Sequence, residues 1–205
     1  KATLTDKRIR KGKLIKDALK LDIPAVLDQY NGGILKEVAA SSGKFTMDGE
    51  KVTGFPTLTY ITNDGSAHEA VAAYLQQVWG NYGFTIKVEV QEWATFLNTR
   101  KEGNYSIARN GWLGDYNDPI SFLDMWVSGS GNNDCQFGKG AHASYNGYEG
   151  KTWTDSYDAI IAEVKNSSDA NKRFELMHDA EDILMESGAI CPIYYYTDIF
   201  MCSDK

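Results

Sequence analysis

The stretch 57–90, TLTYITNDGSAHEAVAAYLQQVWGNYGFTIKVEV, decides the fold class, because its hydrophobic period changes twice. TLTYI (57–61) alternates and is rich in β-branched residues, the pattern of a strand. TNDG interrupts it. SAHEAVAAYLQQVW then places apolar residues at 67, 71, 74, 75 and 78, the spacing of one helix face. Ser66 followed by Glu69 predicts a capping box that sets the helix start. FTIKVEV (84–90) alternates again and reads as a second strand. Beyond it, EWATFLNTRKEG (92–103) predicts a helix stopped by Gly103, and YSIARNGW (105–112) a third strand. The order β-α-β-α-β with short connections implies an α/β fold with a mixed, mostly parallel sheet flanked by helices.

Upstream, LTDKRIRKGKLIKDAL (4–19) has a helical character, NGG at 31–33 marks a turn, and SSGKFTMDGEKVTG (41–54) reads as a loop with DGEK as a hairpin tip. Downstream the chain turns helical. PISFLDMW (119–126) predicts a helix opening on proline, and TDSYDAIIAEVKN (154–166) one capped by Thr154 or Asp155. SDANKRFELMHDAEDILMESG (168–188) predicts a longer helix with Phe174, Met177, Ala180 and Leu184 inward and Gly188 as its stop. AICPIYYYTDIFM (189–201) has the composition of a buried strand. Neither a repeat nor a linker divides the 205 residues.

Composition narrows the function classes. Hydrophobic residues make up 42% and aromatic ones 12%, enough for a real core. The net charge of −7 argues against nucleic acid, which needs a basic face. Basic residues cluster in the first twenty positions, from Lys1 to Lys20, as a solvated helix face or a contact for an anionic partner. No apolar run approaches the roughly 18–20 residues of a membrane span. Lys1 leads straight into polar sequence, as it would in a mature or excised fragment. The three cysteines, Cys135, Cys191 and Cys202, lack metal-ligand spacing and allow at most one disulfide. No cofactor motif is present: there is no P-loop, no G-x-S-x-G, no dinucleotide glycine fingerprint and no HExxH.

The chemistry concentrates in ARNGWLGDYNDPISFL (108–123). Arg109 lies at a strand end, where it either salt-bridges a nearby acid or faces the cleft in which open α/β sheets bind ligands. Asp118 before Pro119 is most simply a helix cap. Asp115 has no such structural task. The two aspartates also admit a hydrolase reading, as paired carboxylates across a sugar. His68, second in the helix after Ser66, is either idle or helps hold a carboxylate among the free N–H groups of that helix start. His142 and His178 have no evident task.

Long segments of the chain resemble a known family. These are GFPTLTYITNDGSAHEAVAAYLQQVW, VQEWATFLNTRKEGNYSIARNGWLGDYNDPISFLDMW, GNND, YDAIIAEVK and ILMESGAICPIYYYTDIF, in that order. Together they resemble the C-terminal lobe of bacterial oligopeptide-binding proteins, the extracellular solute-binding proteins of family 5 that serve peptide ABC transporters. The resemblance implies a periplasmic-binding-protein type II lobe. Residues 56–205 would be its core, residues 1–55 a divergent opening segment, and the N-terminal lobe would lie outside this chain. It implies a non-enzymatic receptor without cofactor or metal, extracytoplasmic and lipid-anchored in the full-length protein, that hands short peptides to the transporter's permease subunits. By the same resemblance Asp115 receives the peptide ammonium, and Arg109 and His68 receive its carboxylate. The main chain of Gly111, Trp112 and Leu113 pairs with the peptide backbone, Trp93 and Trp112 line side-chain pockets, and Asn117 joins the binding residues.

Overall fold

A computed structural model describes residues 45–48, 51–140, 143 and 151–197. The helix expected at 4–19, the turn at 31–33, His142 and Cys202 lie outside the described residues. The chain divides into two compact units, Lys1–Leu113 and Gly114–Lys205.

In the first unit, β1 (Thr46–Asp48) and β2 (Lys51–Thr53) pair antiparallel with Asp48 opposite Lys51, so the tip falls in DGEK as expected. A three-stranded parallel sheet follows, in the order β4-β3-β5, with β3 (Leu58–Asn63) at its centre. Its neighbours are β4 (Ile86–Gln91) and β5 (Ile107–Ala108). The connections are α1 (Ser66–Asn81) and α2 (Trp93–Glu102). Tyr60, Ile61, Thr62 and Asn63 are all buried, as in a central parallel strand covered on both faces. Tyr60, Ala72 and Ile86 form a core against which Leu75, Trp79, Val88 and Ile107 pack. Phe96 of α2 is completely buried. Each such large apolar side chain contributes about 1.5–3 kcal/mol by leaving water.

Three local readings change. The inward face of α1 runs through Ala72, Leu75 and Trp79, while Tyr74 stands 56% exposed. Of the positions expected inward, Val71, Leu75 and Val78 are half-buried, while Ala67 and Tyr74 are exposed. The expected capping box is half formed. Gly65 is the cap, Ser66 is the first helical residue, and only the Glu69 carboxylate reaches back, accepting from Gly65 N–H at 3.1 Å. The third strand is two residues long rather than eight, because only Ile107 and Ala108 find register partners on β3. Arg109 N–H still donates to Ile61 O at 3.0 Å before the chain leaves the sheet.

In the second unit, α3 (Ala159–Asn166) packs on α4 (Ala170–Glu186). Ile161, Val164, Met177, Ala180, Ile183 and Leu184 are buried between the elements of this unit. Phe174, expected inward, is 50% exposed, with its ring edge-on to His178 at 4.4 Å. Asp169 caps α4, accepting from Asn171 and Lys172 N–H, and Gly188 with φ +66° ends it as expected. A π turn, Thr154–Asp158, leads into α3. Its cap is Thr152, not Thr154 or Asp155: the Thr152 hydroxyl accepts from Asp155 N–H at 3.1 Å and donates to the Asp155 carboxylate at 2.7 Å.

The rings of Phe137, Trp153 and Tyr157 stack at centroid distances of 3.9 and 4.6 Å. PISFLDMW, expected as one helix, forms two 3-10 turns, Pro119–Phe122 and Asp124–Trp126. The Tyr157 hydroxyl donates to Leu123 O at 2.6 Å and the Trp153 indole to Trp126 O at 3.0 Å. Both carbonyls lie towards the end of the segment, where a helix leaves its carbonyls without backbone donors, and these side chains satisfy them. The strand expected at 189–201 is absent over its described part. Residues 190–197 carry no regular structure, and Ile193, Tyr194, Tyr195 and Tyr196 are exposed. A strand exists only against a neighbour, and no described strand pairs with this run.

Candidate functional site

Two groups of polar residues stand apart from the cores, one in each unit. In the first, parallel strands end together, so their carboxyl ends gather polar side chains by topology. Asn63 and Gln91 are register partners there. Their amides donate to Asp64 O and to the Glu89 carboxylate at 2.8 Å each. Their amide oxygens, Asn63 Oδ1 and Gln91 Oε1, are buried without a hydrogen-bond partner among the described residues. Sequence reasoning passed over this pair, although both close strands that it recognised.

His68 lies in the first turn of α1, half-buried. Desolvation and then the charge of Arg109 hold its imidazole below the ordinary value of 6.5. The structure therefore brings His68 and Arg109 into one electrostatic neighbourhood, as two of the three charge-bearing candidates. Arg109 is half-buried just past β5. Its carbonyl lies 3.4 Å from the Arg100 guanidinium, which also sits 5.1 Å over the Phe96 ring.

Gly111, Trp112 and Leu113 follow without regular structure. The Gly111 N–H donates to Asn110 Oδ1 at 2.7 Å. Leu113 is 72% exposed. Trp93 opens α2 with 48% of its surface exposed, its ring 6.0 Å from Phe96.

In the second unit Asp115 and Asn117 are exposed on the turn before Pro119. The Asp115 carboxylate has no hydrogen bond or ion pair among the described residues. Its backbone, by contrast, is fixed. Asp115 N–H donates to Ser121 Oγ at 2.8 Å, and Ser121 is completely buried. Asp118 caps the first 3-10 turn by accepting from Ile120 N–H at 3.0 Å, and its second oxygen accepts from the Arg173 guanidinium. Arg173 also donates to Val164 O at 2.6 Å. The surroundings are acidic. Desolvation and then Asp124 raise the Tyr116 phenol; Asp118 and Asp115 add to the rise, and only Lys165 opposes it.

Such a turn offers a free carboxylate on a rigid backbone in a negative field, which suits a cationic group. It does not suit the hydrolase reading, because Asp118 is committed to a cap and an ion pair and is not poised to move a proton. Among the described residues no cluster of His, Cys, Asp and Glu is fit to hold a metal ion. The Cys135 thiol donates to Ala189 O at 3.9 Å, and Cys191 is exposed.

The sequence profile described as "Bacterial extracellular solute-binding proteins, family 5 Middle" matches residues 31–134. The periplasmic oligopeptide-binding protein OppA of Salmonella typhimurium is 34% identical over 143 residues, covering 69% of this chain and 24% of that protein. The oligopeptide-binding protein OppA of Bacillus subtilis is 30% identical, covering 74% of this chain and 25% of its own. Among solved structures, the unliganded open form of the periplasmic murein tripeptide-binding protein MppA superposes with a TM-score of 0.62 at 28% identity, over 80% of this chain and 28% of that one. Haemophilus influenzae OppA in complex with the peptide RPPGFSPFR gives a TM-score of 0.58 at 29% identity, over 68% and 25%. The chain thus spans about a quarter of the length of the relatives it matches. It belongs to family 5 of the bacterial extracellular solute-binding proteins, a family of receptors and not of enzymes.

Proposed function

We propose that this chain is the C-terminal lobe of the substrate-binding component of an oligopeptide ABC transporter, working outside the cytoplasm. The N-terminal lobe of the same protein would close on it over a short extended peptide, and the loaded receptor would deliver that peptide to the permease subunits. A lipid anchor in the full-length protein belongs to the same reading. The relatives named above support the substrate class, and one observation carries the residue assignment: Asp115 presents a carboxylate without a partner among the described residues, from a pinned backbone.

In this reading Asp115 accepts the peptide's α-ammonium. Arg109 and His68 take the peptide's carboxylate, the two serving different peptide lengths. Gly111, Trp112 and Leu113 supply backbone contacts, which give affinity without sequence preference. Trp93, Trp112 and Asn117 contact the side chains and backbone of the bound peptide.

Calorimetric titration of tri- to pentapeptides into the full-length receptor, beside its Asp115→Ala form, tests this. Affinity falls tenfold or more on substitution, matching about 1.5–3 kcal/mol for a charged hydrogen bond. Tight binding unaffected by the substitution would remove Asp115 from the site. An absence of any peptide binding would reopen the ligand class.

A further inference from the structure

Arg173 is far from the Asp115 turn in sequence, 55 residues beyond Asp118, yet three described contacts converge through it. Its guanidinium donates at one end to Val164 O, in the last turn of α3, and at the other to the Asp118 carboxylate, while its own backbone belongs to α4. The Asp118 carboxylate is divided between Arg173 and Ile120 N–H, and Asp118 O accepts from Ser121 N–H at 3.0 Å. Ser121, buried and held in this way, is the residue whose hydroxyl accepts from Asp115 N–H. A continuous chain of hydrogen bonds therefore runs from α3 and α4 through Arg173, Asp118 and Ser121 to the backbone of Asp115.

The arrangement separates the carboxylate that is used up from the one that is offered. Asp118 lies three residues from Asp115 and carries the same charge. Left unpaired, it would compete for any cation that approaches, and the turn between the two would be free to rotate. Arg173 neutralises Asp118 and orients the turn, leaving the Asp115 carboxylate as the group the turn presents. Substituting lysine cannot reproduce this, because a single ammonium does not span the forked separation between Val164 O and Asp118.

We propose that Arg173, acting through Asp118 and Ser121, is a positioning residue that makes Asp115 selective for a peptide's free amino terminus. The inference rests on the reading of Asp115 as the ammonium acceptor, and the test keeps the two apart.

The test compares a tetrapeptide with its N-acetylated form on the full-length receptor, in the native protein and in Asp115→Asn, Arg173→Gln, Arg173→Lys and Ser121→Ala, each checked for folding by circular dichroism. The native receptor prefers the free amine at least tenfold, and Asp115→Asn abolishes the preference. Arg173→Gln shrinks it at least threefold while leaving affinity for the acetylated peptide within twofold, and Arg173→Lys rescues it only in part. Ser121→Ala, which leaves the guanidinium in place, shrinks it similarly and serves if Arg173→Gln does not fold. A merely structural arginine would weaken both peptides alike or only lower the unfolding temperature. An unchanged preference in folded Arg173 and Ser121 variants overturns the inference and leaves the Asp115 reading standing. A native receptor without preference overturns both.

Discussion

At the scale of single residues, the candidates differ in how firmly the fold commits them. His68 is held below the ordinary imidazole value first by desolvation and then by Arg109, so the free protein disfavours its charged form. A carboxylate placed against it does the opposite, and binding then takes up a proton. Affinity for peptides with a free C-terminus that reaches His68 is therefore expected to rise as pH falls from 7.5 toward 5.5. A C-terminally amidated peptide or His68→Gln should flatten the profile, and titration at four pH values decides it. Stability moves the other way. Between the depressed folded value and 6.5 the unfolded chain binds more protons, so the contribution of His68 is present above 6.5 and lost on acidification. The Asp118 cap was legible because a cap is a local affair of a carboxylate and the next turn. Arg173 was not, because nothing near residue 118 points 55 positions downstream.

At the scale of elements, β3, β4, α1, α2 and α4 were legible from the apolar period of their sequences, although burial in β3 runs unbroken from Tyr60 to Asn63. What the sequence left unread was set by partners. YSIARNGW has strand composition along its whole length, but β3 offers register partners only to Ile107 and Ala108. AICPIYYY is as apolar as any strand here and finds no described neighbour. PISFLDMW forms two 3-10 turns whose Leu123 and Trp126 carbonyls accept from Tyr157 and Trp153, partners that no local pattern could reveal. One connection depends on a single backbone conformation. Gly83 adopts φ +88°, and a Cβ there would meet Val52 O at 2.0 Å. It lies beside the bond from Val52 N–H to Tyr82 O that ties β2 to the end of α1. Gly83→Ala should destabilise the first unit by about 1–3 kcal/mol, since the strained φ and the clash add. Urea unfolding measures it, and a change under 0.5 kcal/mol would show that the turn relaxes freely.

At the scale of the whole chain, the proposed role as one lobe of a longer receptor has a consequence for affinity, since the chain spans about a quarter of its relatives' length. Charged contacts strengthen when closure removes water around them, and one lobe cannot close by itself. The isolated chain is expected to bind peptides at least a hundredfold more weakly than the full-length receptor, by calorimetry under one buffer. Equal affinities would place the whole site within these residues.

The aromatic stack of Phe137, Trp153 and Tyr157 has a use beyond packing. Rings 3.9 and 4.6 Å apart and nearly parallel couple their electronic transitions, and Trp153 and Tyr157 are fully shielded from solvent. The unit that carries Asp115 thus contains its own chromophore. Near-ultraviolet circular dichroism and tryptophan emission read, without any label, whether the turns beneath that carboxylate are intact before a single ligand is added.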